Sequence, residues 1–69
     1  MKECISNLVY EFRIKAGLTQ EQLAAVVHVT RQTIIAIEKG HYTPSVHLAL
    51  LMSAYFKVTV EEIFFIDYE

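Results

Sequence analysis

The side chains that could do chemistry in this 69-residue chain are few, and their spacing argues against catalysis. Cys4 is the single cysteine, so the chain can form neither an internal disulfide nor a metal site built on thiolates. We expect Cys4 to be a small packing residue at the start of a helix. No carboxylate pair, glycine-rich phosphate loop or Cys/His dyad falls on a recognisable element. We therefore predict a binding protein without enzymatic activity, metal or cofactor.

The charged residues are distributed unevenly, although the net charge is only −2. Residues 13–41 carry four basic and two acidic side chains, while the rest of the chain carries two basic and six acidic ones. A locally basic surface attracts polyanions even on a protein that is acidic overall. The net charge argues against a nucleic-acid partner, but the distribution matters more than the sum, and it gives the molecule a basic middle and an acidic tail.

Length and composition predict one compact domain over residues 1–69. A core of this size is expected to leave a surplus stability of only about 3–5 kcal/mol, so self-association would help. The longest stretch without Asp, Glu, Lys or Arg is residues 41–56, which is too short to cross a bilayer. The amino terminus does not resemble a secretory signal. We expect a cytoplasmic protein that does not bind membranes.

A helix-start pattern occurs three times, at residues 18–23, 29–34 and 58–63. In each, a threonine hydroxyl can accept a backbone N–H of the first helical turn, and Gln22 or Glu62 can complete a capping box. These patterns predict helices that begin near Gln20, Arg31 and Val60.

Two further helices follow from proline placement and apolar periodicity. Pro44 can occupy the first turn of a fourth helix, which ends near Phe56. The spacing of apolar residues predicts a first helix over Ile5, Leu8, Val9, Phe12 and Ala16, ended by Gly17. Residues 64–68 are the one candidate strand, able to pair with residues 1–5 or with a partner chain. The predicted fold is all-α with five helices and possibly a short C-terminal β-strand.

Only residues 27–30 separate the second predicted helix from the third. A turn this short makes two helices cross steeply as one rigid unit. Ala24 is small enough for a close crossing, and apolar residues are available to face the core: Leu23, Val27, Val29, Ile34 and Ile37. This spacing predicts a helix-turn-helix unit over about residues 20–39.

Residues 18–45 resemble the Cro/CI-like, or lambda-repressor-like, family, also called the XRE family. The matching segments are GLTQEQLA at 17–24, VTRQTI at 29–34, IEKG at 37–40 and YTPS at 42–45. The resemblance continues through LAL at 48–50 and VEEIF at 60–64. His28 stands where the family usually has glycine, and histidine tolerates a left-handed backbone at a cost of roughly 1 kcal/mol.

The resemblance implies that the third helix enters the major groove of double-stranded DNA. The candidate base-reading residues are Arg31, Gln32, Ile35 and Ala36. Arg31 suits a guanine edge, Gln32 an adenine edge, and Ile35 a thymine methyl group. A phosphate contact or a solvated charge is the alternative for Arg31.

The family also implies a set of phosphate contacts: Gln20, Thr33, Lys39, Gly40, Tyr42 and Arg13. Gln20 stands at a helix start, where backbone N–H groups attract anions. Thr33, Lys39, Tyr42 and the backbone around Gly40 could instead serve as loop and cap residues. Arg13 is expected to pair with Glu38 while reaching a phosphate, and a surface ion pair worth little is the alternative.

A single module of this size contacts too few phosphates for tight binding at cellular salt. We therefore expect a homodimer that binds an inverted-repeat operator with recognition helices about 34 Å apart. Residues 59–69 are the candidate dimerisation element. The predicted interface residues are Phe56, Ile63, Phe64, Phe65, Ile66 and Tyr68, although Ile63 and Phe64 could instead complete the core of the monomer.

The function predicted from these features is a sequence-specific transcriptional regulator, most often a repressor. An antitoxin or restriction controller that represses its own operon is one alternative, and a protein-interaction module that has lost DNA binding is another. A small-molecule effector is not expected, because no sensor domain is evident in the sequence.

Overall fold

The computed structural model describes residues 2–68, which form five helices and one two-stranded antiparallel sheet. The elements in chain order are β1 (Glu3–Asn7), α1 (Val9–Lys15), α2 (Gln20–Val26), α3 (Arg31–Glu38), α4 (Val46–Phe56), α5 (Val60–Ile63) and β2 (Phe64–Tyr68). The five predicted helices are present and the candidate strand at residues 64–68 is β2, but the predicted all-α class does not include its partner β1. None of the helices in residues 2–68 is long and apolar enough to span a membrane.

Threonine caps start three of the helices at the predicted residues. Thr19, Thr30 and Thr59 each accept the backbone N–H three residues later, and α2, α3 and α5 begin directly after them. Gln22 and Glu62 complete capping boxes. These helix starts are confirmed because each depends on hydrogen bonds between near neighbours in the chain.

Helix α4 begins after Pro44, which was predicted to lie in its first turn. Ser45 accepts a hydrogen bond from the Leu48 backbone N–H at 3.1 Å, so the helix begins at Val46 and Pro44 lies outside it. The placement of Pro44 in the first helical turn was therefore wrong. The predicted end near Phe56 is confirmed, and Lys57 adopts a left-handed conformation there.

The amino-terminal end is a strand where a helix was predicted. Ile5 lies in β1 and pairs with Ile66 of β2, and α1 begins only at Val9. Ile5 lies at helical spacing from Leu8 and Val9, but the strand-favouring β2 offers residues 3–7 a backbone partner that local periodicity does not reveal. β2 thus pairs within its own chain, with residues 3–7 in place of the predicted residues 1–5. Met1 lies outside the described residues. Cys4 is exposed on this strand, so its predicted packing role was also wrong.

The core lies between the helices, and α5 contributes Ile63 to it. Its largest fully buried side chains come from every helix: Leu23, Ile34, Ile37, Met52, Ile63, Val9 and Val27. Ile63 is therefore a core residue, which corrects its prediction as an interface residue: a side chain with no exposed surface cannot touch a partner.

His28 adopts a left-handed backbone with φ of 63° in the turn between α2 and α3. This is the conformation expected at a position where the family usually has glycine.

We expect His28→Gly to raise the free energy of unfolding by about 0.5–1 kcal/mol, because glycine removes the steric cost of positive φ. Urea unfolding measures the change. His41→Gly is the matched control, since φ of His41 is not positive and glycine there should destabilise. Equal effects of the two substitutions would contradict the prediction.

Candidate nucleic-acid interface

Helices α2 and α3 form one rigid unit joined by a tight turn. The Val29 backbone N–H donates to the Ala24 carbonyl at 2.9 Å, which folds the chain back before Thr30 caps α3. Leu23 and Ala24 of α2 are buried in the same core cluster as Ile34 and Ile37 of α3. The helical conformation is interrupted at His28, as the helix-turn-helix prediction requires.

The two faces of α3 differ sharply in exposure. Ile34 and Ile37 are fully buried, whereas Arg31 and Gln32 are exposed at the first turn. Neither Arg31 nor Gln32 makes a side-chain hydrogen bond or ion pair with another of residues 2–68. Ile35 and Ala36, also predicted to face outward, are half-buried. The first turn of α3 is therefore the part that carries free polar groups outward.

A buried ion pair joins the first three helices. The Arg13 guanidinium on α1 donates to both carboxylate oxygens of Glu38 at the end of α3, from Nε at 2.6 Å and from Nη2 at 3.2 Å. Arg13 Nη1 donates to the Leu18 carbonyl at 2.9 Å, and Gln20 Nε2 on α2 donates to Glu38 Oε1 at 3.1 Å. The Arg13 and Glu38 side chains are only 8% and 7% exposed. This network holds α3 in place against α1 and α2.

Arg13 is the charged group of this network whose pKa is shifted. The hydrogen bond to Glu38 raises the pKa of Arg13, and burial opposes it only in part. An ordinary guanidinium is already protonated at neutral pH, and the raised pKa of Arg13 strengthens this preference. Arg13 therefore stays charged at neutral pH. A buried ion pair is stable only while its charges compensate each other.

The network changes the assignment of two predicted phosphate contacts. Arg13 is buried and its guanidinium is committed to Glu38 and Leu18, so we assign it to positioning α3 rather than to a phosphate. The Gln20 carboxamide is likewise engaged with Glu38, which leaves only the backbone of Gln20 at the start of α2.

The remaining phosphate candidates lie on α3 and in the segment after it. Lys39 and Tyr42 are exposed, and Thr33 is half-buried with its hydroxyl 3.2 Å from that of Thr30. The Gly40 backbone N–H donates to the Ile37 carbonyl at 3.0 Å, so it is not free for a phosphate. With φ of 77°, Gly40 instead ends α3, which corrects its predicted role.

Asn7 supports the site and was missed by the sequence analysis. Its Nδ2 donates to the Ile37 carbonyl at 2.9 Å, and its Oδ1 accepts from the Val9 backbone N–H at 3.1 Å. The side chain thus accepts the first backbone N–H of α1 from one residue before the N-cap, Leu8, and adds a second donor to a carbonyl near the end of α3. An asparagine just before an apolar helix is a known cap signal, but the link to Ile37 depends on the tertiary fold.

The predicted dimer residues fall into three groups. Ile63 is in the core, and Phe56 and Phe64 are half-buried against it. The Phe56 ring centroid lies 5.5 Å from that of Phe12 within the same chain. Exposed apolar surface remains on β2, at Phe65, Ile66 and Tyr68.

Comparison with known proteins places this geometry in a family. A helix-turn-helix family model matches residues 9–63. A protein of Methanothermobacter thermautotrophicus, named an uncharacterized HTH-type transcriptional regulator, is 52% identical over 62 residues that cover 88% of this chain and 90% of that protein. The Bacillus subtilis regulator YgzD, also named uncharacterized and HTH-type, is 45% identical over 94% of this chain and 98% of its own length.

A relative from Archaeoglobus fulgidus with the same kind of name is 46% identical over 88% of this chain. The family match covers the turn, the caps and the buried faces described above. The chain therefore belongs to the Cro/CI-like, or XRE, family of helix-turn-helix proteins.

Proposed function

We propose that this protein is a sequence-specific DNA-binding transcriptional regulator that represses by occupying promoter DNA. The observation that carries the proposal is the first turn of α3, where Arg31 and Gln32 project from a helix whose opposite face is fully buried. A guanidinium and a carboxamide with no partner among residues 2–68 are suited to paired hydrogen bonds with base edges. The names of the relatives support regulation of transcription as the role.

Selection of bound duplexes from a random pool tests this function. We expect enrichment of an inverted repeat whose half-sites lie about one helical turn apart. Binding should weaken steeply as salt rises, because Lys39 and the other phosphate contacts release counterions from DNA. Retained binding at moderate salt separates a regulator from a protein-interaction module of the same fold. Failure to enrich or bind any duplex would contradict the proposal.

We infer that the protein acts as a homodimer through the exposed end of the sheet. In the antiparallel register Ile5 lies opposite Ile66, and Glu3 opposite Tyr68, so these side chains share one face of the sheet. Ile66 is 52% exposed and Tyr68 is 58% exposed. Phe65 adds apolar surface on the other face. A small core leaves this surface uncovered, and a second copy would bury it.

Replacing Ile66 by lysine should convert the dimer to monomers. Each dimer would lose the burial of two isoleucine side chains that are 52% exposed in the monomer, worth together about 1.5–3 kcal/mol, which corresponds to a rise of roughly ten- to a hundredfold in the dimer dissociation constant. Sedimentation equilibrium measures this constant. Leu50→Lys is the matched control, because Leu50 is an exposed apolar residue of α4 away from the sheet. Dissociation caused by Leu50→Lys and not by Ile66→Lys would move the interface to α4.

A further inference from the structure

A cleft of about 210 Å³ lies between the α2–α3 turn, α3 and the start of α4. Its polar lining is His28 from the turn, Thr33 from α3, Tyr42 and Ser45 from the following loop, and His47 from the first turn of α4. Aliphatic side chains of the core form the rest of the wall. We call this the histidine cleft.

The histidine cleft is rich in hydrogen-bond donors. His28 and His47 are both exposed, and the Ser45 hydroxyl accepts from the Leu48 N–H, which leaves its proton available to a ligand. The titratable groups that line it from the turn, the loop and α4 are His28, Tyr42 and His47. No carboxylate, lysine or arginine is among its described lining residues. Such a lining favours an anion over a cation.

The position of the cleft relates it to the DNA-facing surface. Thr33 and Tyr42, two of its lining residues, are also two of the remaining phosphate candidates. His28 and His47 stand beside them, and neither was assigned a role in binding. Within residues 2–68 no group of three or more His, Cys, Asp or Glu side chains could hold a metal ion, so two imidazoles alone are available there.

We propose that the histidine cleft receives a backbone phosphate of bound DNA, and that His28 and His47 contact this phosphate as imidazolium cations. The affinity for DNA then rises as the pH falls. This inference rests on the proposed DNA binding and adds a site and a proton dependence to it.

The sign of the effect follows from proton linkage. An ordinary imidazole is half protonated near pH 6.5, and a phosphate beside it favours the charged form with two N–H donors. The complex therefore holds more protons than the free protein, so acid strengthens binding and the effect levels off above about pH 8. If the phosphate favours each protonated imidazole about tenfold, two imidazoles change the dissociation constant by up to about a hundredfold.

Fluorescence anisotropy with a labelled random-sequence duplex of about 30 base pairs tests the proposal, since a phosphate contact needs no operator. The full chain is titrated between about pH 5.5 and 8 at constant ionic strength, with circular dichroism to check that it is folded at each pH. We expect the dissociation constant of the wild type to fall at least about tenfold on acidification. The slope of log affinity against log salt should also steepen at low pH.

The variants His28→Asn and His47→Gln remove the imidazoles singly and together. Asparagine is chosen at position 28 because it tolerates positive φ. We expect the double variant to respond to pH by less than about twofold, which also accounts for protonation of carboxylates elsewhere. His41→Gln removes the third imidazole of the chain from outside the cleft, and it should keep most of the response.

The outcomes separate this inference from the proposed function. Binding of the wild type that does not change with pH overturns the cleft and leaves DNA binding standing. A response that survives in the double variant, or that disappears with His41→Gln, also overturns it. Absence of duplex binding at low salt and every pH overturns the proposed function together with the cleft.

Discussion

Replacing Glu38 by alanine should unfold most of the protein at room temperature. The substitution leaves the Arg13 guanidinium buried with no carboxylate, and breaking a buried ion pair from one side costs about 3–5 kcal/mol. A domain of this size holds only about that much stability in total. Gln20 also loses its acceptor on Glu38, which weakens the hold of α2 on the end of α3. Urea unfolding followed by circular dichroism measures the loss.

Two variants distinguish an unpaired charge from a general loss of packing. Arg13→Met combined with Glu38→Leu removes both charges and fills the space with apolar atoms, so it should recover most of the stability. Glu21→Ala is the matched control, because Glu21 is an exposed glutamate of α2, and its removal should change stability by less than about 0.5 kcal/mol. A double variant as unstable as Glu38→Ala would contradict the explanation.

Removing the polar groups of α3 should abolish discrimination between DNA sequences while leaving the fold intact. Arg31→Ala and Gln32→Ala should each cost about 1–3 kcal/mol of preference for the selected duplex over a shuffled one. Both side chains are exposed and make no internal hydrogen bond within residues 2–68, so stability should stay within about 0.5 kcal/mol of the wild type. Competition binding with the selected and shuffled duplexes measures the preference.

Lys39→Ala is the matched control for base reading. Lys39 is an exposed cation just after α3, and as a phosphate contact it carries no sequence information. Its removal should weaken binding to both duplexes equally and reduce the salt slope by about 0.9. Sequence preference that stays unchanged in Arg31→Ala and Gln32→Ala would remove these residues from base reading and move recognition elsewhere.

The sequence was sufficient for the starts of α2, α3 and α5 and for the turn. Each threonine cap involves atoms three residues apart, and the left-handed turn at His28 lies in a segment of four residues. Interactions over such short distances can be inferred from residue type and spacing alone. The exposure of the first turn of α3 was predictable for a related reason: helical periodicity separates Gln32 from Ile34 and Ile37, and Arg31 is the first residue of the helix.

The errors came from interactions between distant parts of the chain. Ile5 falls on the apolar spacing of the predicted first helix, but residues 3–7 form a strand because β2, some sixty residues away, supplies a hydrogen-bonding partner. Ile63 and Phe64 were assigned to both core and interface in the sequence analysis, and burial resolves Ile63 to the core.

Local sequence thus specifies where α2, α3 and α5 of this protein begin and that Arg31 and Gln32 of α3 are exposed, because caps and periodicity act within one or two turns. The choice of which polar groups remain free depends on the packed fold. Gln20, Arg13 and the Gly40 amide resemble phosphate contacts in the sequence, yet each is engaged inside the protein. A hydrogen-bonding group satisfied by a distant partner is no longer available to a ligand, and only the assembled helices bring those partners together.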